Sequence, residues 1–176
     1  MMGVDVRFPN RPDWDWLRLK YHGMNLLFCD ADLLDVARVM RGQFGYLATP
    51  FTGPVHQGGR YRAAQADVLA SEAALWALWG AVHRLTLVSP VVNSMAMLAQ
   101  DLGGTLDPLD RDFWQGWCLP LLHGCGGVVV PPISGWDRSD GVWRACCYAL
   151  RHNMRVFLLR ADISAAAHPR SLLESV

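Results

Sequence analysis

Residues 135–150 read GWDRSDGVWRACCYAL. Gly135 to Arg138 form a loop, and Ser139-Asp140-Gly141 open a helix behind it, with Trp136 and Asp137 inside the loop. Such a junction after an apolar strand aims backbone N–H groups and the positive end of a helix dipole at one spot, which suits an anion or a small ligand. Bond-breaking chemistry there calls for an acid on the helix, and no Glu or Asp stands between Val142 and Asn153. The groups left to do that work are Cys118, Asp137 and Asp140. Asp140 opens the helix, and Asp137 lies in the loop before it. Cys118 needs a base or a positive charge to become a thiolate, and His123 lies five residues on. The alternative is that both are structural residues. Glu72 reads as a solvent-side charge on a long helix.

Cys118, His123, Cys125, Cys146 and Cys147 gather around one strand and its flanking helices, but without the C-x₂₋₄-C or H-x₃₋₅-H pairs of structural zinc. Cys146 and Cys147 are adjacent on a helix, so their side chains diverge by about 100°. The histidines show no H-E-x-x-H spacing. No metal site is expected.

The elements that must position these residues follow a repeated rhythm. FGYLATP (44–50) is a strand stopped by Pro50, and the Gly- and Pro-rich TGPVHQGGR is a mobile connection. From Tyr61 to His83 an Ala-rich segment has apolar residues on two sides, Leu69, Ala73, Trp76 and Gly80 on one and Val68, Leu75, Leu78 and Val82 on the other. This predicts a wide-faced, mostly buried helix. LTLVSP (85–90) is a second strand, followed by loop and helix in VVNSMAMLAQDLGG. DRDFWQGWCLPLLHGC is helical, with Pro120 forcing an early position or a kink. GGVVVPP and RVFLL (155–159) are further strands. Continuous Val/Leu strands alternating with helices predict an α/β fold, a doubly wound parallel sheet of four to five strands with helices on both faces. Ligands in such sheets bind at strand C-termini. Three strand ends here share a polar, Pro- or Gly-marked character: Thr49-Pro50-Phe51, Asn93-Ser94 and Gly135 onward.

Composition excludes several partners. The 176 residues fit one domain, with 52% hydrophobic and 18% charged residues and a formal net charge of zero. No basic run offers a footprint for a nucleic-acid polymer, and no apolar run approaches the roughly 20 residues that cross a bilayer. MMGVDVRFPNRPDWDW lacks the apolar core of a secretory signal. Five cysteines without framework spacing fit a reducing cytoplasm. Eight tryptophans imply core or interface surface. Residues 1–43 read as a partly helical extension, with an amphipathic helix in ADLLDVARVMRG, that packs on the domain (44–176) or on a second subunit. The tail after Arg160 reads as a loop and a short helix.

GYLATPF at the first strand, SPVVNS after the second, DRDFW before the third, and GWDRSDG with the following helix ending in YAL and the strand RVFLL share one order and spacing. In these pieces the chain from about Phe44 to Leu159 resembles the nucleoside 2-deoxyribosyltransferase-like superfamily, in particular a bacterial and phage branch of it. The resemblance implies a flavodoxin-like sheet and a nucleoside or nucleotide as ligand. It also implies cleavage or exchange of an N-glycosidic bond without metal or organic cofactor, and a homodimer or larger homo-oligomer. Such displacement passes through an oxocarbenium-like transition state and uses a carboxylate nucleophile. In the superfamily that carboxylate is a Glu near the start of the helix after the Gly-rich loop, and its position falls on Ala145; a second acid falls on Cys118. The frame of a site is present without its usual nucleophile. An active enzyme, a ligand-binding relative without activity, and an interaction protein with a pocket filled by Trp136 or Trp143 all stay open. Tyr46 matches a tyrosine that contacts the nucleophile, or is a strand-core residue. Ser139 matches a phosphate-binding serine, or is an N-cap. Gly141 admits close backbone approach, or eases the helix start. Trp136 stacks on a base or belongs to the core. Asp112 holds a base or sugar hydroxyl, or is a helix-start acid. Asn93 and Ser94 are ligand contacts or a turn.

Overall fold

The computed structural model describes residues 7–58 and 60–161. Its centre is β6 (Gly127–Val130), buried along its whole length. Three consecutive β-branched valines favour an extended chain, and alternation sends Val128 and Val130 into one core and Val129 into the other. β7 (Arg155–Leu159) lies parallel on one side and β2 (Phe44–Leu47) on the other. β5 (Thr86–Val88) flanks β2, and β1 (Leu27–Ala31) flanks β7, giving a five-stranded parallel sheet in the order β1-β7-β6-β2-β5.

Helices cover both faces. One core unites α1 (Trp14–Lys20), α6 (Arg111–Gly124) and α7 (Asp140–Arg151) with Tyr46, Val128 and Val156. The other unites α2 (Leu33–Val39) and α4 (Ala63–Val82) with Leu47, Val129 and Phe157. The fold is α/β and flavodoxin-like, as the strand pattern predicts. The chain passes from β2 through α4 to β5, then through α5 (Pro90–Gln100) and α6 to β6 on the other side of β2. The topological switch therefore lies between β2 and β6, where open sheets of this class part to admit ligands.

Several expectations are corrected. Residues 24–31 give little sign of a strand, yet β1 closes one edge of the sheet from within the first 43 residues. Asn25 and Asp30 take left-handed backbone angles (φ 54° and 53°), and the register slips between Phe28 and Ala31, so a two-residue alternation never develops. The loop expected after residue 90 is helix: Ser89 caps α5, its Oγ accepting from the Val92 N–H at 3.3 Å, and Pro90 occupies the first turn, where a missing N–H costs nothing. The segment between β2 and α4 carries a helical turn, α3 (Thr52–Val55), and a hairpin of β3 (His56–Gln57) and β4 (Arg60–Tyr61). Pro120 sits inside α6 on an exposed side, with open space around Gly116 four residues back. α4 is not mostly buried: only its Ala66-Leu69-Ala73-Trp76-Gly80 stripe faces the core. Trp76 and Trp143 are buried and the other six tryptophans half-buried. No helix among the described residues is long and apolar enough to cross a membrane. From residue 162 on, the expected tail elements fall outside the described residues.

Candidate functional site

At the switch point the C-terminal ends of β2 and β6 diverge, and a cleft of about 1070 Å³ opens between them. Its β2 wall is built from Tyr46, Thr49 and Phe51. Tyr46 is buried, and its hydroxyl faces the Cys118 thiol of α6. Burial first, and the facing thiol second, hold that hydroxyl protonated far above the usual tyrosine range. Two positions beyond the strand, Thr49 Oγ1 is buried and has no hydrogen-bond partner among the described residues. α4 adds Gln65, Leu69 and Glu72 along one lip, and α5 adds Ser94, whose hydroxyl donates to the Val91 carbonyl at 3.0 Å.

The β6 wall begins with Ile133 and Ser134, and Gly135 turns the chain with φ 84°, a left-handed angle glycine takes freely. One 3₁₀ turn (Trp136–Arg138) follows, and Ser139 caps α7, its Oγ accepting from the Val142 N–H at 3.3 Å. Asp140 faces Arg111 of α6 at 3.8 Å, and Arg144 donates to Gln115 Oε1 at 2.7 Å. These contacts tie α7 to α6 across the cleft. Ala145 lines the cleft, and Gly141 sits exposed one turn before it. A Cβ on Gly141 would come no closer than 3.7 Å to Ser139 Oγ, so sterics do not demand glycine there.

Of the residues singled out from sequence, the cleft gathers Tyr46, Thr49, Phe51, Cys118, Ser139, Asp140, Gly141 and Ala145, together with Ser94 and Gly135. Five do not line it. Pro50 is buried beneath the β2 end. Asn93 is an exposed residue of α5, because Ser89 and Pro90 start the helix early. Asp112 stays exposed in the first turn of α6, the place of a helix-start acid. Trp136 turns to Trp14, ring centroids 4.8 Å apart, and the Asp137 carbonyl accepts from Trp14 Nε1 at 2.6 Å. Asp137 thus faces a separate hollow of about 810 Å³ beside the N-terminal segment.

Cys118, Cys125 and Cys147 are poor nucleophiles. Burial raises the Cys118 thiol, only partly offset by the Tyr46 hydroxyl, and pushes Cys125 to about 11 and Cys147 to about 12. His123 does not serve Cys118, because its Nδ1 is bonded to the Tyr148 hydroxyl. Among the described residues, no three His, Cys, Asp or Glu side chains are grouped to hold a metal ion.

Sequence reasoning missed the arginines and the far wall. Arg111, Arg138, Arg144 and Arg151 line the cleft against two acids, Glu72 and Asp140. Glu72, read as a solvent-side charge, stands on the cleft lip one turn before Trp76. Phe8, Pro9 and Asn10 close one end, held there because Trp143 Nε1 donates to the Pro9 carbonyl at 3.0 Å. No periodicity in residues 7–16 announces this; the signal was the indole pair Trp14 and Trp16, which needs polar partners at its rim.

No curated protein and no solved structure matches the chain. A family model described as a domain of unknown function (DUF1937) matches residues 43–161. The match starts one residue before β2 and runs two past β7, so it takes in the switch point and both cleft walls but not β1 or the Phe8–Asn10 closure. By that match, the chain belongs to the DUF1937 family.

Proposed function

We propose that the cleft binds a nucleoside or nucleotide, with N-glycosidase or deoxyribosyl-transfer activity weak, altered or lost. The observation that carries this reading is an open cleft at the sheet's switch point whose wall includes Thr49, with a buried Oγ1 that has no hydrogen-bond partner among the described residues. A buried hydroxyl left without a partner costs free energy, and a ligand hydroxyl or ring nitrogen would remove that cost. The cleft volume is at the upper end of small-molecule sites, ample for a nucleoside monophosphate. Four lining arginines against two acids favour the phosphorylated form. Of the residues quoted for the likeness to the nucleoside 2-deoxyribosyltransferase-like superfamily, Tyr46, Thr49, Phe51, Ser94, Arg111, Ser139 and Gly141 line this cleft, whereas Asn93, Asp112 and Trp136 do not.

Catalysis by the superfamily's route has no nucleophile at Ala145, and the raised Cys118 thiol does not replace it. The acids on the cleft wall are Glu72 and Asp140, and Asp140 already faces Arg111. The competing reading, an interaction protein with a filled pocket, asks Trp136 and Trp143 to occupy the cleft. Trp136 instead turns to Trp14, and Trp143, which lines the cleft, is held by its Nε1 to the Pro9 carbonyl and leaves the volume open.

The test is a panel of deoxynucleosides and their 5′-monophosphates, scored by calorimetric binding and by chromatographic base release, with Ala145→Glu beside the parent. Binding without release by the parent, and release by the variant, is the expected result. Release by the parent would assign the acid's work to Glu72 or Asp140, to be checked with Glu72→Gln and Asp140→Asn. Absence of binding by both chains would overturn the reading.

A further inference from the structure

We propose that the solvent face of α4 is the interface for a second copy of this chain, the two α4 helices packing antiparallel about Leu75. The face is apolar where a surface helix should be polar: Val68, Leu75, Leu78 and Val82 are 50%, 40%, 48% and 53% exposed. With Ala64 and Ser71, also exposed, they recur at alternating steps of four and three residues along the 20-residue helix. That is the spacing of a helix–helix seam, and small residues at Ala64 and Ser71 let the backbones approach. The stripe lies opposite the Leu69-Ala73-Trp76 side that faces the sheet. A helix apolar on two opposite sides is matched by burial on both.

Charge selects the occupant and its direction. Asp67 and Glu72 are the charged residues within α4, and both lie in its N-terminal half. His83 and Arg84 follow its C-terminus. Neither Asp67 nor Arg84 belongs to an ion pair among the described residues. Parallel pairing would set like charge against like. Antiparallel pairing sets Asp67 beside the second copy's His83 and Arg84, twice over, while Val68 meets Val82 and Leu75 meets itself. A two-fold interface demands this self-complementarity, and the sequence of α4 provides it. Glu72 stands between the seam and the cleft, so the second copy's α4 would run along that lip.

Sedimentation velocity of the full chain, extended to tens of micromolar, tests the proposal together with crosslinking. The parent is expected to sediment at twice the mass of one chain, and Leu75→Glu, which sets two like charges on the axis, at half the parent's value. Asp67→Arg should weaken the dimer at least ten-fold, and adding Arg84→Asp should restore it, a rescue that a merely unfolded variant could not show. In a Cys29→Ser background, Leu75→Cys should crosslink with its own copy under oxidised glutathione. Val68→Cys should crosslink only when mixed with Val82→Cys. A monomeric parent would overturn the proposal. So would a dimer untouched by Leu75→Glu, or Val68→Cys crosslinking with itself, which would mean another surface or a parallel pair.

Discussion

The two walls of the cleft use their polar groups in opposite ways. On the α7 wall nearly every group with chemical potential is already employed by the fold. Ser139 caps the helix, Asp140 faces Arg111, Arg144 holds Gln115, and Trp143 holds the N-terminal segment through the Pro9 carbonyl. On the β2 wall the Tyr46 hydroxyl faces the Cys118 thiol, and Thr49 keeps a buried hydroxyl with no partner among the described residues. The wall richer in reactive residue types is the more structural one, and the spare hydrogen-bonding capacity sits on the plainer wall. The α7 wall gives the cleft its shape, and the β2 wall gives it a place for a ligand to be held.

The harshest way to break this comparison is Trp143→Ala. The indole is buried, packs edge-on against Trp14 with centroids 5.1 Å apart, and donates to Pro9. Its removal should cost about 3–5 kcal/mol in urea unfolding and release the Phe8–Asn10 end of the cleft. A loss below about 1 kcal/mol, the typical worth of one hydrogen bond, would show that the wall is not held from the N-terminal side.

Alkaline titration acts next, and on the same wall. Burial raises Cys147 to about 12 and, beneath α6, Cys125 to about 11, above the ordinary 9.0. An acid whose pKa is raised on folding stabilises the fold fully below its unfolded value, and that contribution fades as pH climbs to the folded one. The melting temperature should therefore hold to about pH 9 and fall steadily between pH 9 and 12. Cys147→Ala should flatten part of that fall. A flat profile in the parent would mean that these thiols are not buried as described.

How much of this was legible in the sequence depended on whether a local pattern survived. Val128–Val130 and Val156–Leu159 read correctly as strands because continuous branched apolar runs have few other uses. Ser139, left open between a phosphate contact and a cap, is a cap, as Ser before Asp-Gly and an apolar run signals locally. β1 was illegible because a left-handed Asp30 and a register slip between Phe28 and Ala31 erased its alternation. Asn93 was misplaced because Ser89-Pro90 reads equally as a strand stop and a helix start; the cap bond to Val92 decides. The solvent stripe of α4 was visible but misassigned, since periodicity shows that two sides are apolar and not what covers each. Trp136 and Asp137 were drawn into the site by their neighbours in sequence, whereas Trp14, 122 positions before Trp136, takes them away from it.

A gentler test on the α7 wall is Ser139→Ala. If Ser139 is there for α7, its loss should cost about 1 kcal/mol of stability, and Ser139→Gly a few tenths. Nucleotide affinity should change little in either variant. A ten-fold loss of affinity in both would return Ser139 to the ligand's side of the ledger and weaken the contrast between the walls.

At Thr49→Val the sign of the effect on stability carries the argument. Valine keeps the branched shape at the end of β2 and removes the hydroxyl. A buried polar group without a partner costs about 1–3 kcal/mol, and the valine methyl takes the hydroxyl's place, so the free protein should gain up to about 1 kcal/mol. The stabilisation that a bound deoxynucleotide gives the parent should shrink in the variant, because the partner for its hydrogen bond is gone. Stability rising while affinity falls is the mark of a group kept for a ligand. A variant less stable than the parent would mean that the hydroxyl has a structural partner, and the two walls would then be alike.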